Sequence, residues 1–207
     1  MRSLGISLAF ALFLVVLIPV AESAQRGGLA ARVAQLEAQV AAMEEVLQFV
    51  YVEEEVVNGL AGPHWIIEGA NVHVRSGSGL TSDGCDSDFP NCENLTGLGN
   101  LIVGYNRRDK SRGDAVGDRA GSHNLVVGDA HLYVSFGGFA AGLNNWITSA
   151  YASVCGGTSN RATGLGSSVC GGQLNVASGE RSSVSGGQFR KAENDLNWAA
   201  GSLFEEN

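Results

Sequence analysis

Two hydrophobic rhythms divide this chain. From residue 29 to 50 the apolar positions are Leu29, Val33, Leu36, Val40, Met43, Leu47 and Val50, at alternating steps of four and three. That is a heptad seam, with Val33, Val40 and Leu47 at a positions and Leu29, Leu36, Met43 and Val50 at d positions. Ala, Gln and Glu fill the outside and favour helix. A stripe confined to a and d predicts a coiled coil rather than a helix docked on a globular core. Glu54 falls at the next a position, between Glu53 and Glu55, so the coil is expected to splay or end there. Gly59 to Gly62 and Pro63 then break the helix.

The second rhythm is a repeat. Ser-Val-(Cys/Ser)-Gly-Gly returns at Ser153, Ser168 and Ser183, and Asn-x-Ala-(Thr/Ser)-Gly at Asn160 and Asn175, a period of 15 residues. A fixed short period predicts stacked coils, each burying apolar side chains against the next. Weaker copies extend it to seven candidate rungs starting near residues 100, 124, 138, 153, 168, 183 and 198. The long first interval carries RRDKSRGD and reads as a loop bulging from one coil.

Fifteen residues make two short strands and two turns, with glycines such as Gly156, Gly157, Gly164, Gly171, Gly172 and Gly179 at the bends. Alternation predicts one inward ladder of Val154, Val169 and Val184 and a second of Ala162, Ala177 and Ala192. The opposite face then carries Trp146, Thr148, Arg161 and Thr163. One Val and one Ala per rung supply about 2–4 kcal/mol of burial. Ordering the rung costs about 1–2 kcal/mol per residue. A lone ribbon of this kind would gain from packing against copies of itself.

Residues 1–23 pair Arg2 with an apolar run from Leu4 to Val20, and Ala21 and Ser23 suit a cleavage site. This predicts a secretory signal peptide, with an uncleaved anchor as the alternative. Residues 24–60 form the coil, 61–99 a junction that caps the repeats, and 100–207 the repeat domain. Within the junction, Trp65-Ile66-Ile67 and Val72-His73-Val74 read as short strands, with Trp65 plugging the first rung. Cys85 and Cys92 close a small ring, and export favours a disulfide. Asp83, Asp86, Asp88 and Glu93 crowd that loop as a weak Ca²⁺ candidate without EF-hand spacing. Cys155 and Cys170 occupy equivalent positions of adjacent rungs, either as a rung-to-rung staple or as two free thiols.

Val at a with Leu at d leans toward two strands. Arg32-Val33-Ala34-Gln35-Leu36-Glu37, however, resembles the short trimerisation motif of coiled coils, which implies that Arg32 pairs with Glu37 of a neighbouring helix. The repeats themselves resemble the head repeats of trimeric autotransporter adhesins of the YadA-like type, over roughly residues 100–202. That resemblance implies a mainly β fold, a left-handed parallel β-roll or β-solenoid of about 15-residue repeats, preceded here by a coiled-coil α-helix and wound as a homotrimer. The order departs from the family's, since here the coil comes first. No C-terminal anchor strands are recognised in the sequence.

A formal net charge of −8 argues against a nucleic-acid partner. His64, His73, His123 and His131 are isolated, and no acid/base pair or nucleophile set recurs at workable spacing. The expectation is therefore an exported, non-enzymatic, adhesin-like or structural protein of the extracellular space or bacterial cell surface. Its partner would be an unidentified surface, glycan or protein. It would need no cofactor and would meet a membrane only through the leader. The alternatives are a β-solenoid enzyme acting on polysaccharide and an ice- or mineral-binding solenoid. The latter rests on the Thr148, Thr163, Ser178 column, which Glu193 interrupts.

Overall fold

The computed structural model of the protein describes residues 28–85, 92, 94–108, 118–201 and 203–205. They form two compact units, one ending at Val72 and one starting at His73. The leader expected over residues 1–23 lies outside the described residues.

Among the described residues the first unit holds one α-helix, α1 (Leu29–Leu47), with no buried residue. It is followed by strands β1 (Val50–Glu53) and β2 (His64–Ile67), paired antiparallel with Val52 opposite Trp65 and Tyr51 opposite Ile66. Val57 and Leu60 form a further bridge around Asn58 and Gly59, whose φ angles are 52° and 84°. Two left-handed residues in that order suit the primed turn that matches strand twist, and Asn-Gly is its preferred sequence. This corrects the helical reading beyond Leu47. Val50 ends the heptad seam on paper, but the β-branched and aromatic Val50-Tyr51-Val52 instead finds a partner in Trp65-Ile66-Ile67. Trp65 lies on this hairpin and is 71% exposed.

The second unit is a parallel β-solenoid of about five turns. Its strands in chain order are β3 (Leu101–Val103), β4 (Leu125–Asp129), β5 (Leu132–Tyr133), β6 (Phe139–Leu143), β7 (Trp146–Ile147), β8 (Ser153–Val154), β9 (Arg161–Ala162), β10 (Ser168–Val169), β11 (Val176–Ala177), β12 (Ser183–Gly186), β13 (Lys191–Ala192), β14 (Trp198–Ala200) and β15 (Leu203–Glu205). The long sheet runs β15-β14-β12-β10-β8-β6-β4-β3 and the second sheet β13-β11-β9-β7-β5. All neighbours are parallel except β15, which turns back along β14.

Register places Val126, Ala140, Val154, Val169, Val184 and Ala199 in one buried column. Tyr133, Ile147, Ala162, Ala177 and Ala192 make the facing column. Together with Ala152 they are the hydrophobic core. So small a core leaves polar atoms in charge of the corners. Asn145, Asn160 and Asn175 are fully buried and repeat one arrangement. The Oδ1 of Asn160 accepts the N–H of Asn175 at 3.0 Å, and its Nδ2 donates to the carbonyls of Gly156 and Gly172, both at 3.0 Å. Each asparagine thus ties its own turn to the next. His131 stands one rung earlier, with Asn145 N–H donating to Nδ1 and Nε2 meeting Val127 O. Arg190 N–H donates to Asn175 at the other end.

A second asparagine column serves the opposite corner. Asn124 N–H donates to Asn100 Oδ1, and Gly138 N–H to Asn124 Oδ1. Asn197 lies in that column, 1% exposed, with both side-chain atoms unpartnered. Such an amide bonds to the turn that follows, and after Asn197 the chain folds back as β15.

The glycine reading needs one correction. Gly156, Gly164, Gly171 and Gly179 do not take left-handed backbone, whereas Ser159, Leu174 and Phe189 do at one corner and Tyr151, Arg181 and Leu196 at the other. Gly164 is required for closeness instead, because a Cβ there would run into the carbonyl of Gly179 in the next turn.

Replacing Asn160 by Ala orphans the Asn175 N–H and takes a donor from the Gly156 and Gly172 carbonyls, of which Gly172 keeps the Thr158 N–H, so it should cost about 2–3 kcal/mol. Arg161→Ala, one residue on but exposed, should cost less than about 1 kcal/mol. Urea melts of the two variants against wild type measure the difference; equal costs would contradict the role given to the buried amides.

Candidate binding surface

The solenoid offers two unlike outer faces. Outward positions of the long sheet are Leu125, Phe139, Ser153, Ser168, Ser183 and Trp198 in one column, in register. Val127, Ala141, Cys155, Cys170 and Ser185 form the next. None of these residues is charged. Their polar atoms also pair among themselves, Ser168 Oγ with Ser183 Oγ at 3.1 Å and Trp198 Nε1 donating to Ser185 Oγ at 2.7 Å.

The second sheet carries the charges. Its outward column is Leu132, Trp146, Arg161, Val176 and Lys191. The Arg161 guanidinium sits 4.0 Å from the centre of the Trp146 ring, so the ring face is already occupied by a cation. Thr148 and Thr163 are half-buried beside them. Ser178 continues their column exposed, and Glu193 ends it in an ion pair with Lys191 at 2.9 Å. The threonine ladder is therefore two residues tall. At the corner, Leu174 and Phe189 hold left-handed backbone while 41% and 62% exposed. Left-handed backbone costs such side chains about 1–2 kcal/mol each, and no sequence pattern pointed to this ridge.

The insert is anchored at its base. Arg107 pairs with Asp129, its Nη2 2.8 Å from Oδ2. The Arg107 hydrogen bond, working against some desolvation, holds that carboxyl below the usual carboxylate range. Arg119 Nε donates to His131 O at 3.0 Å, and Tyr133 N–H to Asp118 O at 2.9 Å. Residues 109–117 lie outside the described residues.

The first turns are locked by a carboxylate. Cys85 and Cys92 form the expected disulfide, with Cα atoms 5.5 Å apart. Just before it, buried Asp83 accepts from Ser76 Oγ at 2.6 Å, from Ser122 Oγ at 2.8 Å and from Thr96 N–H. Burial works to raise its pKa, but these hydrogen bonds outweigh it and hold the carboxyl well below the usual range. Both oxygens of Asp83 are thus engaged by protein donors. Its companions in the Ca²⁺ candidate, Asp86, Asp88 and Glu93, lie outside the described residues. Among the described residues no group of three His, Cys, Asp or Glu gathers to hold a metal ion. His123 takes part in the same lock, accepting from Ser76 N–H and meeting Thr81 O.

Other sequence-selected residues are placed as follows. Leu29, Val33, Leu36, Val40, Met43 and Leu47 are exposed on α1 or nearly so, as are Arg32 and Glu37. Burial lowers the pKa of His131, whose ring closes a corner of the solenoid. Cys155 and Cys170 are free thiols, both exposed. No described helix is long and apolar enough to cross a membrane. No protein-family model matches the chain, and no curated protein and no solved structure matches it.

The Asp83 lock sets an acid limit. Its folded pKa is depressed, so its stabilisation is present above the unfolded value of about 3.9 and is lost as pH falls toward the folded value. Asp83→Asn should lower stability at neutral pH by about 1–3 kcal/mol and flatten the decline below about pH 4. Denaturant midpoints across pH check this; a variant that keeps the wild-type acid limb would contradict it.

Proposed function

We propose that this chain is an exported, non-enzymatic, adhesin-like or structural surface protein. It works as a homotrimer in which α1 forms a three-stranded coiled coil and the solenoid is a left-handed β-roll. The observation that carries this reading is α1 itself, a 19-residue helix with no buried residue and a heptad seam. An apolar seam of that length left in water forgoes about 1.5–3 kcal/mol for each side chain it could bury. The period of 3.5 calls for other helices of the same pitch, and copies of the chain supply them. Arg32 and Glu37 match the trimerisation motif that the segment resembles, which implies that a neighbouring copy pairs them.

The two faces of the solenoid support the same reading. The uncharged face of the long sheet suits contact between copies, which would add apolar burial to a thin core. The second sheet, with Trp146, Arg161, Thr148, Thr163 and the base of the 107–119 insert, faces solvent and is the surface offered to a partner. A repetitive surface held in three copies binds by many weak contacts, because tethering raises effective concentration. The partner class is a glycan or protein on another surface, and the setting is extracellular or cell-surface.

A printed glycan array and a panel of intact cells provide the test. The wild-type chain should be retained, and a Leu36→Asp, Val40→Asp variant should lose at least about 100-fold in apparent affinity while its solenoid circular dichroism is unchanged. Equal retention of both, or wild-type retention no better than that of heat-denatured protein, would refute the reading.

A further inference from the structure

We propose that Cys155 and Cys170 form a two-thiolate site for one soft monovalent cation of the copper(I) class. The pair sits where β8 and β10 stack in register, Ser153 on Ser168 and Val154 on Val169. Both cysteines follow by one residue and are exposed on the outer face of the long sheet. The column is bounded by Ala141 on one side and Ser185 on the other, so it presents two sulfurs and no more. Gly156 and Gly171 come next, and a Cβ built on either meets nothing within 4 Å, which leaves the approach to the sulfurs open.

Spacing decides what the sulfurs can do. In-register parallel rungs repeat by a translation of about 4.8 Å, and equivalent Cβ atoms inherit it. A disulfide wants Cβ atoms about 3.5–4.5 Å apart. The rungs cannot close that gap cheaply, because Cys155 N–H donates to Val169 O and Cys170 N–H to Val184 O, both at 2.9 Å. Two sulfurs on either side of one cation, at the about 2.3 Å of zinc thiolates, span about 4.6 Å, close to the rung spacing of about 4.8 Å. Thiolates select soft ions such as copper(I). Binding exchanges two S–H protons for two S–Cu bonds and involves no change of oxidation state.

Both ligands come from one chain, so the pair needs no second copy, although the proposed trimer packs this long-sheet face between copies. The full chain is titrated with copper(I) without oxygen, against bicinchoninate as competitor. Cys85 and Cys92, already joined, do not compete. The wild type should hold about one copper(I) per chain, and Cys155→Ser and Cys170→Ser should each weaken it at least about 100-fold. Serine occupies the same position at Ser185, so these variants should keep the wild-type circular dichroism. The Leu36→Asp, Val40→Asp variant, in which no copy covers the face, should also hold about one copper(I) per chain, so loss of the trimer and loss of this site are read separately. Wild-type binding no stronger than that of the Cys155→Ser, Cys170→Ser double variant would overturn the proposal. So would a Cys155–Cys170 disulfide in the mass spectrum of protein that has seen no metal.

Discussion

The buried asparagine amide is the interaction on which the solenoid depends. A turn of about 15 residues that buries one Val and one Ala cannot hold its corners by hydrophobic contact alone. At each corner the chain must bend, and a bend exposes backbone N–H and C=O groups that no strand pairs. Asn145, Asn160 and Asn175 meet that need from inside, each closing its own turn and fixing the distance to the next. Their donors and acceptors match because every turn is a copy of its neighbour. The arrangement also explains Asn197, whose amide has no following turn of the same kind.

A stack built this way is narrow, and narrowness shapes its surfaces. Both faces of each sheet lie one residue from the core, so outward side chains are only half-covered by their own chain. The long sheet answers with small and apolar residues and hydroxyls that pair with each other. The second sheet answers with Arg161 over Trp146 and Lys191 beside Glu193. That difference and the exposed seam of α1 are what support the proposed association between copies, in which the charged sheet would face outward. The copper(I) site is a by-product of the same regularity: an exact repeat puts like side chains at one fixed spacing, and here two of them are thiols.

Much of this was legible from periodicity. Stepping by 15 from Val154 and Ala162 located both core columns, because side chains alternate along strands and repeats stack in register. The disulfide followed from the close spacing of Cys85 and Cys92. The hairpin of β1 and β2 was missed because the heptad seam of α1 ran on in phase through Val50, although Asn58-Gly59 between two β-rich runs was the signal for it. The Asp83 lock was not legible, since its donors at Ser76, Thr96 and Ser122 are scattered along the chain. Nor were the left-handed corners at Leu174 and Phe189, where the stacked turns override what those residues prefer alone. The asparagines were seen as part of a repeated phrase, but their burial and reciprocal bonding came only with the structure.

The number of chains in the particle tests the proposed trimer most directly. Light scattering of the full chain on a size-exclusion column, at a concentration well above that used for binding, would report it. The prediction is three times the mass of a single chain, unchanged on dilution. A particle with the mass of one chain would contradict it, and would remove the partner that the proposed trimer gives to α1 and to the uncharged sheet face.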